Sequence, residues 1–159
     1  MKITVLAVGK VKEKFYRQAI EEFEKRLSRY CRLEIIEVAD ERTPDGISEA
    51  MESRIKEKEG ERILHHIRDT DYICALAIKG AQPDSVALAK KIEELGVSGI
   101  SSIIFVIGGS LGLHDKVLQR ADYLLSFSNM TFPHQLMRVI LLEQIYRSYR
   151  IMNGEPYHK

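Results

Sequence analysis

The chain has 159 residues and a mass of 18.3 kDa, and its 24 Lys+Arg and 23 Asp+Glu leave a formal charge of only +1. Hydrophobic residues at 45% and charged residues at 30% exclude a disordered tail, and the neutral balance excludes attraction of nucleic acid by overall charge while leaving room for a local basic face. The length suits one domain over 1–159. Two cysteines, Cys31 and Cys74, are too few for a metal site or a disulfide scaffold, and no stretch nears the roughly 18 apolar residues of a membrane span, so the expectation is a cytoplasmic protein with no metal and no membrane partner.

In chain order, short runs rich in β-branched and aromatic residues predict strands at Lys2–Val8, Leu33–Val38, Tyr72–Ile78, Ser102–Ile107 and Tyr123–Phe127. Helical patterns predict Glu13–Tyr30, Ser48–Ile67, Ser85–Leu95, His114–Arg120 and Pro133–Met152 between and after them. In the first helix, Phe15, Ala19, Phe23 and Leu27 repeat every fourth residue and predict one buried stripe. Asp84 or Ser85 suits the cap of the third helix, and Pro133 suits the first turn of the last. Ala39–Ile47, with Pro44 and Gly46, reads as a loop. Strict alternation of strand and helix predicts an α/β fold on a mainly parallel sheet. The unbroken apolar run Ile103–Ile107 predicts a central strand covered on both faces, and Cys74, within another apolar run, reads as core packing.

Charge is unevenly placed. Residues 10–32 carry eight Lys/Arg and four Glu, whereas residues 34–61 carry four Lys/Arg and ten Asp/Glu. The contrast is compatible with two solvated helix faces and with a basic surface offered to a polyanion.

Two segments could carry chemistry. In residues 106–114, VIGGSLGLH, a buried strand ends and Gly108, Gly109 and Gly112 precede the next helix. Ligands of open α/β sheets bind beyond such strand ends, and glycines let a backbone approach closely. The spacing is neither a dinucleotide fingerprint nor a phosphate loop. Gly108, Ser110 and Gly112 do match the G-x-S-x-G of serine hydrolases, for which Asp115 or Asp122 with His134 or His158 would complete a triad. The second segment, residues 126–138, follows the last strand; Phe127, Met130 and Phe132 could wall a flat ring or plug the core. Val139, Ile140, Leu141 and Leu142 point all round the final helix, as for a helix covered by core and by a second subunit or for a central helix within one large core. Glu143 and Arg147 stand one turn apart on it, spaced for a pair. The tail ends in Tyr157, His158 and Lys159, which suit stacking on a base or binding phosphate.

AVGKVKEKF at the start, KEKEGERIL at 56–64, FVIGGSLGLH at 105–114, LSFSNMTFPHQLMRVILLEQIYRSYRIM at 125–152 and the closing PYHK together resemble the RlmH-type ribosomal RNA methyltransferases over nearly the whole chain. The resemblance implies a SPOUT α/β-knot fold with a C-terminal trefoil knot, and a homodimer formed through the C-terminal helix. It implies S-adenosylmethionine as cofactor and N3 of a pseudouridine in large-subunit (23S) ribosomal RNA, free or in the ribosome, as substrate. Carried over by position, Leu76, Gly108, Phe127, Ser128, Asn129, Met130, Thr131 and Phe132 would contact the cofactor, and Tyr157, His158 and Lys159 would serve catalysis. The family often has Arg at the last position; Lys keeps the charge without the forked hydrogen bonding. Serine is not tied to position 110 in the family. A non-catalytic RNA-binding protein is the remaining alternative.

Overall fold

The computed structural model describes residues 1–159. Five strands, β1 (Lys2–Val8), β2 (Arg32–Val38), β3 (Tyr72–Ala81), β4 (Ser102–Ile107) and β5 (Tyr123–Leu125), alternate with five helices, α1 (Lys14–Leu27), α2 (Glu49–His65), α3 (Ser85–Val97), α4 (Asp115–Arg120) and α5 (His134–Met152). The strands form one parallel sheet in the order β2-β1-β4-β3-β5. Alternation along β1 and β4 splits the core in two. Ile3, Val5, Ala7, Ile103, Phe105 and Ile107 face α1, α3 and α5, while Leu6, Val8, Ile104 and Val106 face α2 and α4. Steps toward β2 run through α1 and α3 on one face, and steps toward β5 run through α2 and α4 on the other, so all four crossovers share one hand.

The predicted elements are all present, with shifted ends. β3 runs three residues beyond Ile78, and β5 stops at Leu125, two residues early. Asp84 caps α3, accepting the Ala87 N–H at 2.7 Å, and Pro133 stands just before α5 rather than inside it. The predicted stripe on α1 holds at Leu27, which is buried, and at Phe23, which packs against the core, but fails at Phe15, which is 60% exposed; Ile20 joins the buried line instead. The reason is that α1 leans on α5 through its second half. Its start is held instead by a distant side chain, the Gln135 amide oxygen, which accepts the Lys12 N–H at 3.0 Å. Cys74 is packed in the core, where burial pushes its thiol up to about 12.

Candidate active site beyond the ends of β3, β4 and β5

A cavity of about 540 Å³ opens where β3, β4 and β5 end. That is within the usual range for small-ligand sites. Its walls are Leu76–Ile78, Ile107–Leu113 and the segment from Leu125 to His134 without Asn129, together with Met137. Each wall has a local cause. In β3, Leu76 and Ala81 both pair with Leu125, so residues 77–80 form a bulge in the ladder, and Ala77 and Ile78 of it line the cavity. After β4, the Gly112 N–H closes a turn on the Gly109 carbonyl at 3.1 Å, and Gly112 sits at φ +86°, where other residues are strained. A Cβ at Gly108 would come within 2.9 Å of the Gly112 backbone. After β5, the Ser126 N–H bonds the Ala81 carbonyl at 2.8 Å and the Ser128 hydroxyl accepts the Met130 N–H at 2.9 Å, folding the loop around the opening.

No Asp, Glu, Lys or Arg lines this cavity. Apolar walls and backbone groups with no fixed charge suit a flat heteroaromatic ring better than a phosphate. Of the residues singled out as cofactor contacts, Leu76, Gly108, Phe127, Ser128, Met130, Thr131 and Phe132 all line it. Asn129 does not; its amide oxygen accepts the Gln82 amide at 3.3 Å. Phe127, Met130 and Phe132 are all walls, Phe127 also packs against the core, and Met130 is 73% exposed at the rim.

The serine-hydrolase arrangement is not assembled. The Ser110 hydroxyl meets the Thr43 hydroxyl at 3.5 Å and no imidazole. Asp122 accepts the Ile73 N–H and pairs with Arg120, while His158 lies against Arg147. His134 shares the cavity with Ser110, but no carboxylate lines it to orient that ring.

The tail lies elsewhere on the molecule. Glu143 and Arg147 form the expected one-turn pair on α5. The Tyr157 hydroxyl donates to Glu143 at 3.1 Å, its ring lies 4.7 Å from the Arg147 guanidinium, and His158 Nδ1 is 3.1 Å from the same guanidinium. Glu155 is held by Arg150 and by the Tyr30 hydroxyl. Burial, reinforced by the Glu143 carboxylate, holds the Tyr157 phenol above its ordinary range, so near neutrality it is a hydrogen-bond donor. Tyr157 and His158 are thus brought together on α5, and none of Tyr157, His158 and Lys159 lines the cavity of the same chain.

Two charged residues behind the site were not singled out from the sequence. Arg138, 2% exposed, pairs with Glu37 at the end of β2 and donates to the Gly9 carbonyl at 2.8 Å after β1, fastening α5 across both strand ends. Glu59, on α2, is 4% exposed and accepts the Glu41 N–H at 3.0 Å. The signal for each was present. Arg138 precedes the buried Leu141, Leu142 and Ile145 by three, four and seven residues, and Glu59 falls midway between the buried Ile55 and Ile63. A charge on a buried stripe needs a partner or a task.

The sequence profile of the family described as "Predicted SPOUT methyltransferase" matches residues 1–158. Proteins named ribosomal RNA large subunit methyltransferase H align over all of this chain and all of their own length. The one from Bifidobacterium adolescentis is 65% identical, and those from Clostridium kluyveri and Clostridium tetani are 60% identical. Among solved structures, a probable methylase family protein from Haemophilus influenzae superposes with a TM-score of 0.55 at 12% identity, covering 99% of this chain and 70% of that one, and so supports the fold. A parallel sheet with its cavity beyond β3, β4 and β5, a full-length profile match and full-length relatives at this identity place the chain in the SPOUT methyltransferase family.

Proposed function

We propose that this protein is an S-adenosylmethionine-dependent methyltransferase acting on N3 of a pseudouridine in large-subunit (23S) ribosomal RNA. The observation that carries the reading is the uncharged, glycine-walled cavity beyond β3, β4 and β5. It fits the proposed cofactor: apolar side chains for the adenine ring, a glycine turn that brings backbone to the cavity wall, and no anionic or cationic side chain to misplace it. The names of the full-length relatives supply the RNA.

When bound, S-adenosylmethionine supplies an electrophilic methyl group, so neither a metal nor a covalent enzyme intermediate is required. The protein's own task is positioning. The bulge at 77–80, the glycine turn and the 126–132 loop hold one reactant and exclude water. Tyr157, His158 and Lys159 are assigned to the other: Tyr157 as the aromatic ring that orients the base while its hydroxyl is bonded to Glu143, His158 as the group that accepts or relays the N3 proton, and Lys159 as a cation for the developing anion or a phosphate. Glu143 and Arg147 hold the first two in place. We assign the RNA surface to α1 and the segment before it. Lys10, Lys12, Lys14 and Arg17 are exposed there and form no ion pair.

The same reading makes the protein a cytoplasmic homodimer with a knotted C-terminus. No helix is long and apolar enough to cross a membrane. Half-buried Leu136 and Ile140 on α5, and the exposed Phe15 at the start of α1 beside Gln135, offer apolar surface to a second copy. A knot is supported by the path after β5, where the chain leaves the sheet edge and returns to set α5 between α1 and α3 over β4.

The decisive experiment supplies purified protein with a radiolabelled methyl donor and ribosomes or 23S RNA lacking the modification. Label is expected in one pseudouridine. Folded protein that binds the donor but transfers nothing would leave a non-catalytic RNA-binding protein. A second test reverses charge at Lys10, Lys12 and Lys14 together. RNA affinity should fall by roughly 10- to 100-fold at moderate salt, with a shallower salt dependence, while donor affinity holds. Parallel loss of both would place the damage in folding rather than in an RNA surface.

A further inference from the structure

Open parallel sheets usually bind ligands in the crevice where neighbouring strands send their chains in opposite directions. Here that crevice lies between β1, which leads outward to β2, and β4, which leads toward β5. It is filled by a side chain. A Cβ at Gly109 would stand 3.1 and 3.3 Å from the two Glu59 carboxylate oxygens and 3.3 Å from Val8. Gly109 is also a wall of the cavity. The carboxylate therefore sits behind the glycine turn, separated from the cavity by a strip of backbone with no side chain. It accepts a hydrogen bond from the Glu41 N–H, and that bond ties it to the loop after β2 rather than neutralising it. The cavity has no acidic group of its own.

We propose that Glu59 is a positioning residue whose negative charge acts through the glycine turn to favour a cationic sulfonium ligand over its neutral demethylated product. This rests on the reading of the cavity as a methyl-donor site and adds how donor and product are told apart. The two ligands differ by one methyl and one positive charge, and apolar walls alone distinguish a single methyl weakly. A carboxylate shielded from water acts over longer range than an exposed one. Transfer of the methyl removes the cation that Glu59 attracts, so the same charge that helps load the donor ceases to hold the product. Burial disfavours the charged carboxylate, as do Asp40 and Glu41 nearby, and the Glu41 N–H and Arg62 oppose them. Retaining such a group costs the fold something, which is what a functional charge looks like.

The test is isothermal calorimetry of the full-length protein and Glu59→Gln with S-adenosylmethionine and with S-adenosylhomocysteine. The Gln variant keeps the shape and the oxygen that accepts the Glu41 N–H, and its thermal midpoint should equal or exceed that of the parent. Donor affinity should fall by about 5- to 10-fold and product affinity should stay within about twofold, so that the ratio of the two collapses. Glu59→Asp, which restores a charge, should recover part of the ratio. An unchanged ratio, whether both affinities fall together or neither moves, overturns the role of Glu59. If the parent protein binds neither ligand, the methyl-donor reading of the cavity fails instead.

Discussion

Removal of the last five residues, Glu155–Lys159, is expected to lower methyl transfer by about a hundredfold or more while donor affinity stays within about threefold. The separation follows from where the groups lie. The tail is fastened to α5 and to the turn after α1 by Glu143, Arg147, Arg150 and Tyr30, and no residue of it lines the cavity. Donor binding therefore has little to lose. Turnover has more: Tyr157, His158 and Lys159 are the groups assigned to the base and its proton. Truncation also leaves Arg150 without Glu155, so the point variants Tyr157→Phe, His158→Ala and Lys159→Ala should accompany it, with unfolding curves for each. His158→Ala should account for the greater part of the loss, and its thermal midpoint should match the parent. Undiminished single-turnover rates in the truncated protein would remove the tail from the chemistry.

Gly80→Ala is expected to cost roughly 2–4 kcal/mol of stability, a fall in thermal midpoint of about 5–15 °C for a domain this size. A Cβ there would lie 2.6 Å from the Leu124 carbonyl oxygen, 2.7 Å from its carbon and 2.9 Å from the Leu125 nitrogen. All three are backbone atoms, so no rotamer change relieves the overlap, and β5 must move away from β3. β5 is three residues long and sits at the sheet edge, with β3 its only neighbour. Because β3 and β5 carry two walls of the cavity, donor affinity should fall with stability. Calorimetry on the folded fraction distinguishes this from Glu59→Gln, where stability is retained. A midpoint within 2 °C of the parent would mean that the bulge absorbs the extra methyl.

Much of this architecture was legible from residue patterns, and the reasons differ by element. β4 was recognisable because a strand covered on both faces cannot alternate: all six of its residues are buried. α2 and α3 were bounded by Ser48 and Asp84, each of which accepts a backbone N–H from the first turn of its helix. The start of α1 was legible to within one residue, Glu13 against Lys14, although no side chain caps it. What was not legible is the tie just before it, where the Lys12 N–H donates to Gln135, more than a hundred residues away. The bulge in β3 was invisible for a related reason: it exists only against β5, and nothing in Ile78-Lys79-Gly80 states which strand will be alongside. The cavity residues were named through resemblance and not through periodicity, which had left Phe127 and Phe132 equally suited to core or wall. Glu59 and Arg138 were legible in principle, as charges on apolar stripes.

The ties between Gln135 and Lys12, and between Arg138 and the ends of β1 and β2, carry a consequence for how the chain is made. During synthesis the amino-terminal third emerges first, but the segment entering its first helix lacks its tie to Gln135 and its first two strands lack their clasp until α5 has left the ribosomal tunnel. β4, which separates β3 from β1 in the sheet, also arrives after β3. A nascent chain halted before residue 134 should thus remain protease-sensitive throughout, and protection should appear in a single step once the final helix is released.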